Sequence, residues 1–185
     1  VPSIFVIVGP PAVGKSTTAR ALAGRFPLGL HIPVDDLRMM VVSGLALPAA
    51  EWAEDLALQI ALARDTTSHM AGAYHAAGFA VVIDDFWDDN LAADYAGLMA
   101  HPALRRVVLL PDQAEAHRRN LKRSGDSQAR AYIDQGIRDV YRQLGEIVAD
   151  LAGQGWLVVD TTGLNVERTV DVILAASSGP DGESR

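Results

Sequence analysis

Short apolar runs recur along this chain, each cut off by glycine, proline or acidic residues. Ile4-Phe5-Val6-Ile7-Val8, stopped by Gly9, contains no polar position, the pattern of a strand covered on both faces. Residues 30–34 form a second short run. A third, 79–83, is introduced by Gly78 and closed by Asp84 and Asp85; a fourth, 105–110, ends at Pro111; a fifth spans 156–159. Helical spacing fills the intervals. It predicts a helix over 15–25 with Leu22 and Phe26 facing inward, and a helical turn over 35–40. A long helix is expected over 51–77, where Trp52, Leu56, Ile60, Ala63, Thr67 and Met70 recur every three or four residues. Further helices are expected over 91–99, 113–122 and 129–151, the last two separated by Ser124-Gly125-Asp126-Ser127. Asn165 can cap a final helix running to about 175.

Five strands alternating with helices imply an α/β, three-layer fold: a five-stranded parallel sheet with helices on both faces. With 185 residues and no internal repeat, the expectation is a single domain over 1–176. The polar segment 177–185 (SSGPDGESR) is expected to be a loose tail.

Composition narrows the function classes. The chain has no cysteine, which excludes disulfides and thiolate metal sites. Its apolar runs are far shorter than the ~20 residues of a membrane-spanning helix. No basic segment precedes the first run, so neither a signal peptide nor membrane association is expected, and a cytoplasmic location follows. The net charge of −7 weighs against a protein whose main task is to grip nucleic acid.

The first strand runs directly into Gly9-Pro10-Pro11-Ala12-Val13-Gly14-Lys15-Ser16, with Thr17 following. This GxxxxGK[ST] pattern, after a strand and before a helix, is the phosphate-binding loop of P-loop NTPases. Gly9 and Gly14 let the backbone curl so that its N–H groups converge on phosphate oxygens, and the helix adds its positive end. Lys15 supplies charge to the outer phosphates and Ser16 a hydroxyl to Mg²⁺. ATP and Mg²⁺ are thus the expected cofactors; no N-K-x-D run selects guanine.

Two acidic pairs fall where strands end, the place where open α/β sheets hold ligands: Asp35-Asp36 and Asp84-Asp85. Phosphoryl transfer to a hydroxyl uses one carboxylate to accept the proton and another to hold the metal shell. The competing role for Asp35 or Asp36 is to cap the helix that follows. Asp88 and Asp89 read as a solvated loop. The basic stretch 117–123 places Arg119 and Arg123 four apart on one helix face. Followed by a glycine-containing break, it suits a lid of about 118–130 that closes positive charge over the transferring phosphoryl. Its plainer role is a surface face balancing Asp112 and Glu115. The five histidines show no metal-ligand spacing and read as surface or packing residues; the tryptophans and methionines read as core.

These motifs resemble the small P-loop kinases of the nucleoside-monophosphate-kinase-like group, of the AAA_33 type. The likeness is nearest to the polynucleotide 5′-hydroxyl kinase domain, through GPPAVGKST, Asp35-Asp36-Leu37-Arg38, VVIDD and Arg119-Asn120-Leu121-Lys122-Arg123. It is also near to chloramphenicol phosphotransferase, through Val34-Asp35-Asp36-Leu37 and Val82-Ile83-Asp84-Asp85. The resemblance implies that Asp35 is the base for the acceptor hydroxyl. It implies Arg38 and Asp85 at the acceptor or metal side, Asp84 or Asp85 at the metal, Arg119 beside the nucleotide base and Arg123 beside the transferring phosphate. The stretch 160–163, with Thr162, resembles the loop bordering adenine. The leading expectation is an ATP:hydroxyl phosphotransferase with a small-molecule acceptor such as an antibiotic, nucleoside or sugar. A polynucleotide 5′-kinase and a nucleotide-binding switch without chemistry are the alternatives.

Overall fold

The structure is a computed structural model, described here for residues 2–47, 54–125 and 127–177. Five strands form the sheet: β1 (Ile4–Val8), β2 (Gly29–Pro33), β3 (Ala80–Asp84), β4 (Leu104–Leu109) and β5 (Trp156–Val159). The helices are α1 (Lys15–Ala23), α2 (Val34–Arg38), α3 (Glu54–Ala76), α4 (Leu91–Asp94), α5 (Ala96–Met99), α6 (Gln113–Ser124), α7 (Gln128–Leu151) and α8 (Val166–Ser177). The strand order is β2-β3-β1-β4-β5 and every pairing is parallel.

β1 is the centre of the sheet, and all five of its side chains are buried. Alternation along it divides the core in two. Ile4, Val6 and Val8 face one cluster with Val81, Ile83, Tyr95 and Leu144. Phe5 and Ile7 face another with Leu22, Val82, Val107, Ile137 and Ile173. Each such enclosed aliphatic side chain contributes on the order of 1.5–3 kcal/mol, which is why an unbroken apolar run can hold the middle of the sheet.

The five strands match in number and order, and the helices match in order. The helix expected over 91–99 is instead two short ones, because Tyr95 turns inward at the break, fully buried with its hydroxyl on Asp85. The helix expected from residue 51 is described from Glu54; Trp52 lies outside the described residues, as does the tail beyond Ser177. Asn165 caps α8 as expected, its Oδ1 accepting from the Arg168 amide at 2.9 Å. Trp87 and Trp156 are core residues. Met39 and Met40 are not: they are 63% and 70% exposed, beyond the end of a five-residue helix that has no second face to bury. Among the described residues no helix is long and apolar enough to cross a membrane.

This topology places the first loop where ligands gather. β1 continues toward β2 on one side, while its neighbour β4 continues toward β5 on the other, so the order of connections reverses between them. Gly9 closes that point. Its φ is +144°, and a Cβ there would lie 2.3 Å from the Leu109 carbonyl oxygen at the end of β4.

Candidate active site

The loop between β1 and α1 is built from backbone conformations that side chains resist. Gly9 and Gly14 have positive φ, and so does Ala12 at +62°. Gly14 precedes α1 without a side-chain cap, and no acidic residue stands in the first turn of that helix. The helix N–H groups are thereby left for an anion rather than satisfied internally. Lys15 Nζ folds back onto the loop, donating to the Gly9 carbonyl at 3.1 Å and the Pro10 carbonyl at 2.9 Å. Burial pulls its pKa below the ordinary lysine value; Asp84, Asp35 and Asp85 act against that, and Arg123 adds to it. A curled backbone of donors around a desolvated ammonium fits a polyphosphate.

Ser16 and Asp84 meet across the cleft. Ser16 Oγ donates to Asp84 Oδ1 at 2.8 Å, joining the start of α1 to the end of β3. The second oxygen of Asp84 faces His31 Nε2 at 2.5 Å, from β2. Two of the groups expected around Mg²⁺ are therefore adjacent. Among the described residues no cluster of three or more histidine and acidic side chains gathers as a metal cage. The donor set fits a cation that takes its other ligands from phosphate oxygens and water, as Mg²⁺ does. The sequence reads His31 as a surface or packing residue, and nothing in its spacing marks the partner 53 positions away.

Asp85 departs from the expectation that placed it at the metal or the acceptor. Its side chain is fully enclosed, and the small exposure it keeps is main chain. Oδ2 accepts from Arg64 Nε at 2.8 Å and from the Tyr95 hydroxyl at 3.0 Å; Oδ1 accepts from the Phe86 amide at 2.7 Å. Three accepted hydrogen bonds engage Asp85 in the protein interior, with no side-chain surface exposed, although the residue is among those lining the main cleft. Arg64, on α3, also reaches Asp88 Oδ1 at 2.9 Å and Asp94 Oδ2 at 3.0 Å. Burial disfavours its charge, but Asp85 and Asp88 outweigh burial and hold the guanidinium firmly protonated. Asp88 is thus a half-buried partner of Arg64 and not a solvated loop residue.

Asp35 lies in the first turn of α2 rather than at a strand end, and it lines the main cleft of about 650 Å³ together with Lys15, Ser16, Asp84, Arg119 and Arg123. Its side chain is 76% exposed, and Arg38 Nη1 lies 3.6 Å from Oδ1. Pro33 occupies the cap position of α2 and no side chain caps it, so neither Asp35 nor Asp36 is spent on the helix end. Arg38 is steadied by donation from Nη2 to the Ala46 carbonyl at 3.1 Å, while its buried Nε has no partner among the described residues.

On the far side α6 supplies the basic residues. Arg118 and Arg119 both pair with Glu115, which lowers the pKa of that carboxyl. Arg119 also donates to the Val13 carbonyl at 2.9 Å and the Thr161 carbonyl at 2.8 Å, stitching the phosphate loop to the loop after β5. A second cleft of about 420 Å³ lies there, lined by Val13, Thr17, Arg119, Lys122 and Thr161. Thr162, expected to border adenine, turns its Oγ1 to the Asp112 amide at 2.7 Å; Thr161 takes the place on the cleft. Arg123 lines the main cleft, and no carboxylate pairs with it among the described residues.

A parallel sheet of this order, a phosphate loop and a Ser16–Asp84 pair define the P-loop kinase fold. The chain belongs to the AAA_33 family, described as an AAA domain, whose model matches residues 4–143. Among solved structures, a tunicamycin resistance protein from Deinococcus radiodurans is 19% identical, with a TM-score of 0.66 over 96% of each chain. A shikimate kinase from Acinetobacter baumannii in complex with shikimate is 14% identical, with a TM-score of 0.66 over 97% of this chain and 96% of that one. A gluconokinase from Sinorhizobium meliloti is 19% identical, with a TM-score of 0.57 over 96% of this chain and 92% of that one. No curated protein matches the sequence.

Proposed function

We propose that this protein is an ATP-dependent phosphotransferase that moves the γ-phosphoryl group of ATP to a hydroxyl of a small molecule. One observation carries the reading: a single cleft holds a phosphate-binding end (Lys15, Ser16, Asp84) and an uncapped carboxylate, Asp35, within the electrostatic reach of Lys15. A nucleotide switch has no use for an exposed carboxylate beyond the phosphates. A shikimate kinase and a gluconokinase with the same fold support a small acceptor.

In this reading the loop amides, Lys15 and the α1 N-terminus bind the phosphates, and Arg119 with Thr161 borders the base. Ser16 and Asp84 hold Mg²⁺, which neutralises charge on the phosphates when bound. Asp35, aimed by Arg38, accepts the acceptor proton. Arg123, with no carboxylate partner among the described residues, offers charge to the phosphoryl in transit.

The test is a screen of hydroxyl compounds for stimulated ADP release, with Lys15→Ala as the control. Among the described residues Lys15 donates hydrogen bonds to loop carbonyls alone and fills no core position, so the variant should fold while losing turnover. Near-normal turnover by folded Lys15→Ala protein would sink the assignment.

A further inference from the structure

Asp84 is held from two elements at once. Ser16 Oγ, at the start of α1, donates to Oδ1 at 2.8 Å, and His31 Nε2, on β2, lies 2.5 Å from Oδ2. Facing a carboxylate, that nitrogen is the donor. The His31 and Asp84 side chains keep only 11% and 9% exposure, so the contact is shielded from competing water. Among the described residues neither oxygen of Asp84 has another hydrogen-bond partner.

The register of the sheet builds this contact. β2 and β3 run parallel, with His31 opposite Val82 and Pro33 opposite Asp84. Alternation puts residues 31, 82 and 84 on one face. Val82 packs there with Ala19 and Leu22 of α1, so this is the face from which Ser16 approaches. His31 is not part of the main cleft lining, which holds Ser16 and Asp84; it reaches the phosphate end through Asp84. It lines instead a surface cleft of about 640 Å³ between α1 and β2, with Arg20, Gly24 and Pro33, where a side chain of another shape has room.

We infer that His31 is a positioning residue for the Mg²⁺ end of the cleft: its N–H fixes the Asp84 carboxylate, and through it the Ser16 hydroxyl, so that both oxygens are oriented before the cation binds. The inference rests on the Mg²⁺ role given to Ser16 and Asp84 in the phosphotransferase reading. A carboxylate free to swing would have to be ordered at each binding event, and that cost falls on metal affinity. His31 moves no proton.

Binding of a fluorescent, non-hydrolysable ATP analogue tests it, titrated with Mg²⁺ and separately in EDTA. His31→Leu removes the donor; His31→Gln keeps an N–H of similar reach. His31→Leu should need about tenfold more Mg²⁺ for half-maximal binding, the scale of a lost partner behind a metal ligand, with affinity in EDTA within about twofold of the parent. His31→Gln should stay within about threefold of the parent in Mg²⁺ requirement, since the donor is restored. In an Asp84→Asn background His31→Leu should add less than about twofold, because its effect passes through that carboxylate. A parental Mg²⁺ requirement in His31→Leu, equal losses with and without Mg²⁺, a glutamine variant as impaired as the leucine one, or full additivity with Asp84→Asn overturns the role. His31→Val, a strong strand former without a donor, is held to the same outcomes if the leucine variant does not fold. ADP release in the hydroxyl screen separates the two claims. A His31-dependent Mg²⁺ requirement without turnover keeps the positioning role and removes the transferase reading; turnover with a Mg²⁺ requirement indifferent to His31 does the reverse.

Discussion

Arg64 Nε donates to Asp85 Oδ2 at 2.8 Å, and both side chains are fully enclosed. This pair ties α3 to the residue that follows Asp84. One guanidinium answers three carboxylates and the Phe86 carbonyl, so the loop after β3 is shaped around it.

Removing Arg64 should therefore be among the more damaging single changes outside the cleft. Arg64→Met leaves Asp85 as an uncompensated buried charge, at a cost of about 3–5 kcal/mol. For a chain of this size that is a fall of roughly 6–20 °C in Tm. Scanning calorimetry measures it. A fall under about 2 °C would mean that the network carries no net stability.

Gly9 should resist substitution for a different reason. Its φ of +144° and the Leu109 carbonyl oxygen 2.3 Å from an added Cβ make strain and clash coincide, and the obstacle is backbone that cannot swing aside. Gly14, at φ +98°, has open space around its missing Cβ. Gly14→Ala should cost only the conformational strain, about 1–2 kcal/mol. Gly9→Ala should cost distinctly more, at least about 3 kcal/mol by urea denaturation. Equal losses would show that β4 yields at no cost.

How much of this was legible from the chain follows from the range of each signal. Strands and helices were readable because their apolar spacing is local; the phosphate loop was readable because its glycines answer to conformation alone. Arg64 was not. It sits on α3 among the apolar positions Ile60, Ala63 and Thr67, where a lone arginine reads as the polar side of a helix; its partners lie 21–30 positions away. A longer separation, 53 positions, hid His31 against Asp84. Of the two acids closing β3, the alternation of the strand sends them to opposite sides, Asp84 to Ser16 and Asp85 to Arg64, but the sequence offers no sign of which is which.

The contact between α6 and α7 should weaken in acid. Asp134 on α7 accepts from Asn120 Nδ2 at 2.9 Å and from His117 Nδ1 at 2.8 Å, and these bonds hold its carboxyl below the ordinary value of 3.8. A carboxyl whose folded pKa is depressed lends its stability above the unfolded value and loses it as pH falls through the folded one. Below about pH 3.8 the parent protein should therefore lose more Tm than Asp134→Asn, which has no charge to lose. Parallel melting curves for the two proteins from pH 6 to pH 3 would contradict the assignment.

Asp35 and Asp36 are adjacent acids in one helical turn, and their exchange with asparagine separates two roles. Had either been a cap, its carboxylate would be bonded to an amide of α2; neither is, and Pro33 holds the cap position. Asp35 lines the cleft with Lys15 and Arg123, and Arg38 stands 3.6 Å from it, whereas Asp36 is exposed outside the cleft lining. Asparagine keeps the shape of aspartate but cannot take a proton. General-base assistance is worth about 10² to 10⁴ in rate. Asp35→Asn should lose that much kcat with an acceptor found in the screen, with Kd for ATP changed less than about threefold, because a base acts in the transition state rather than on bound nucleotide. Asp36→Asn should be within about twofold of the parent in both quantities. Full activity in Asp35→Asn, or equal losses in the two variants, would show that the carboxylate serves the fold or the electrostatic field of the cleft and that the proton leaves by another route.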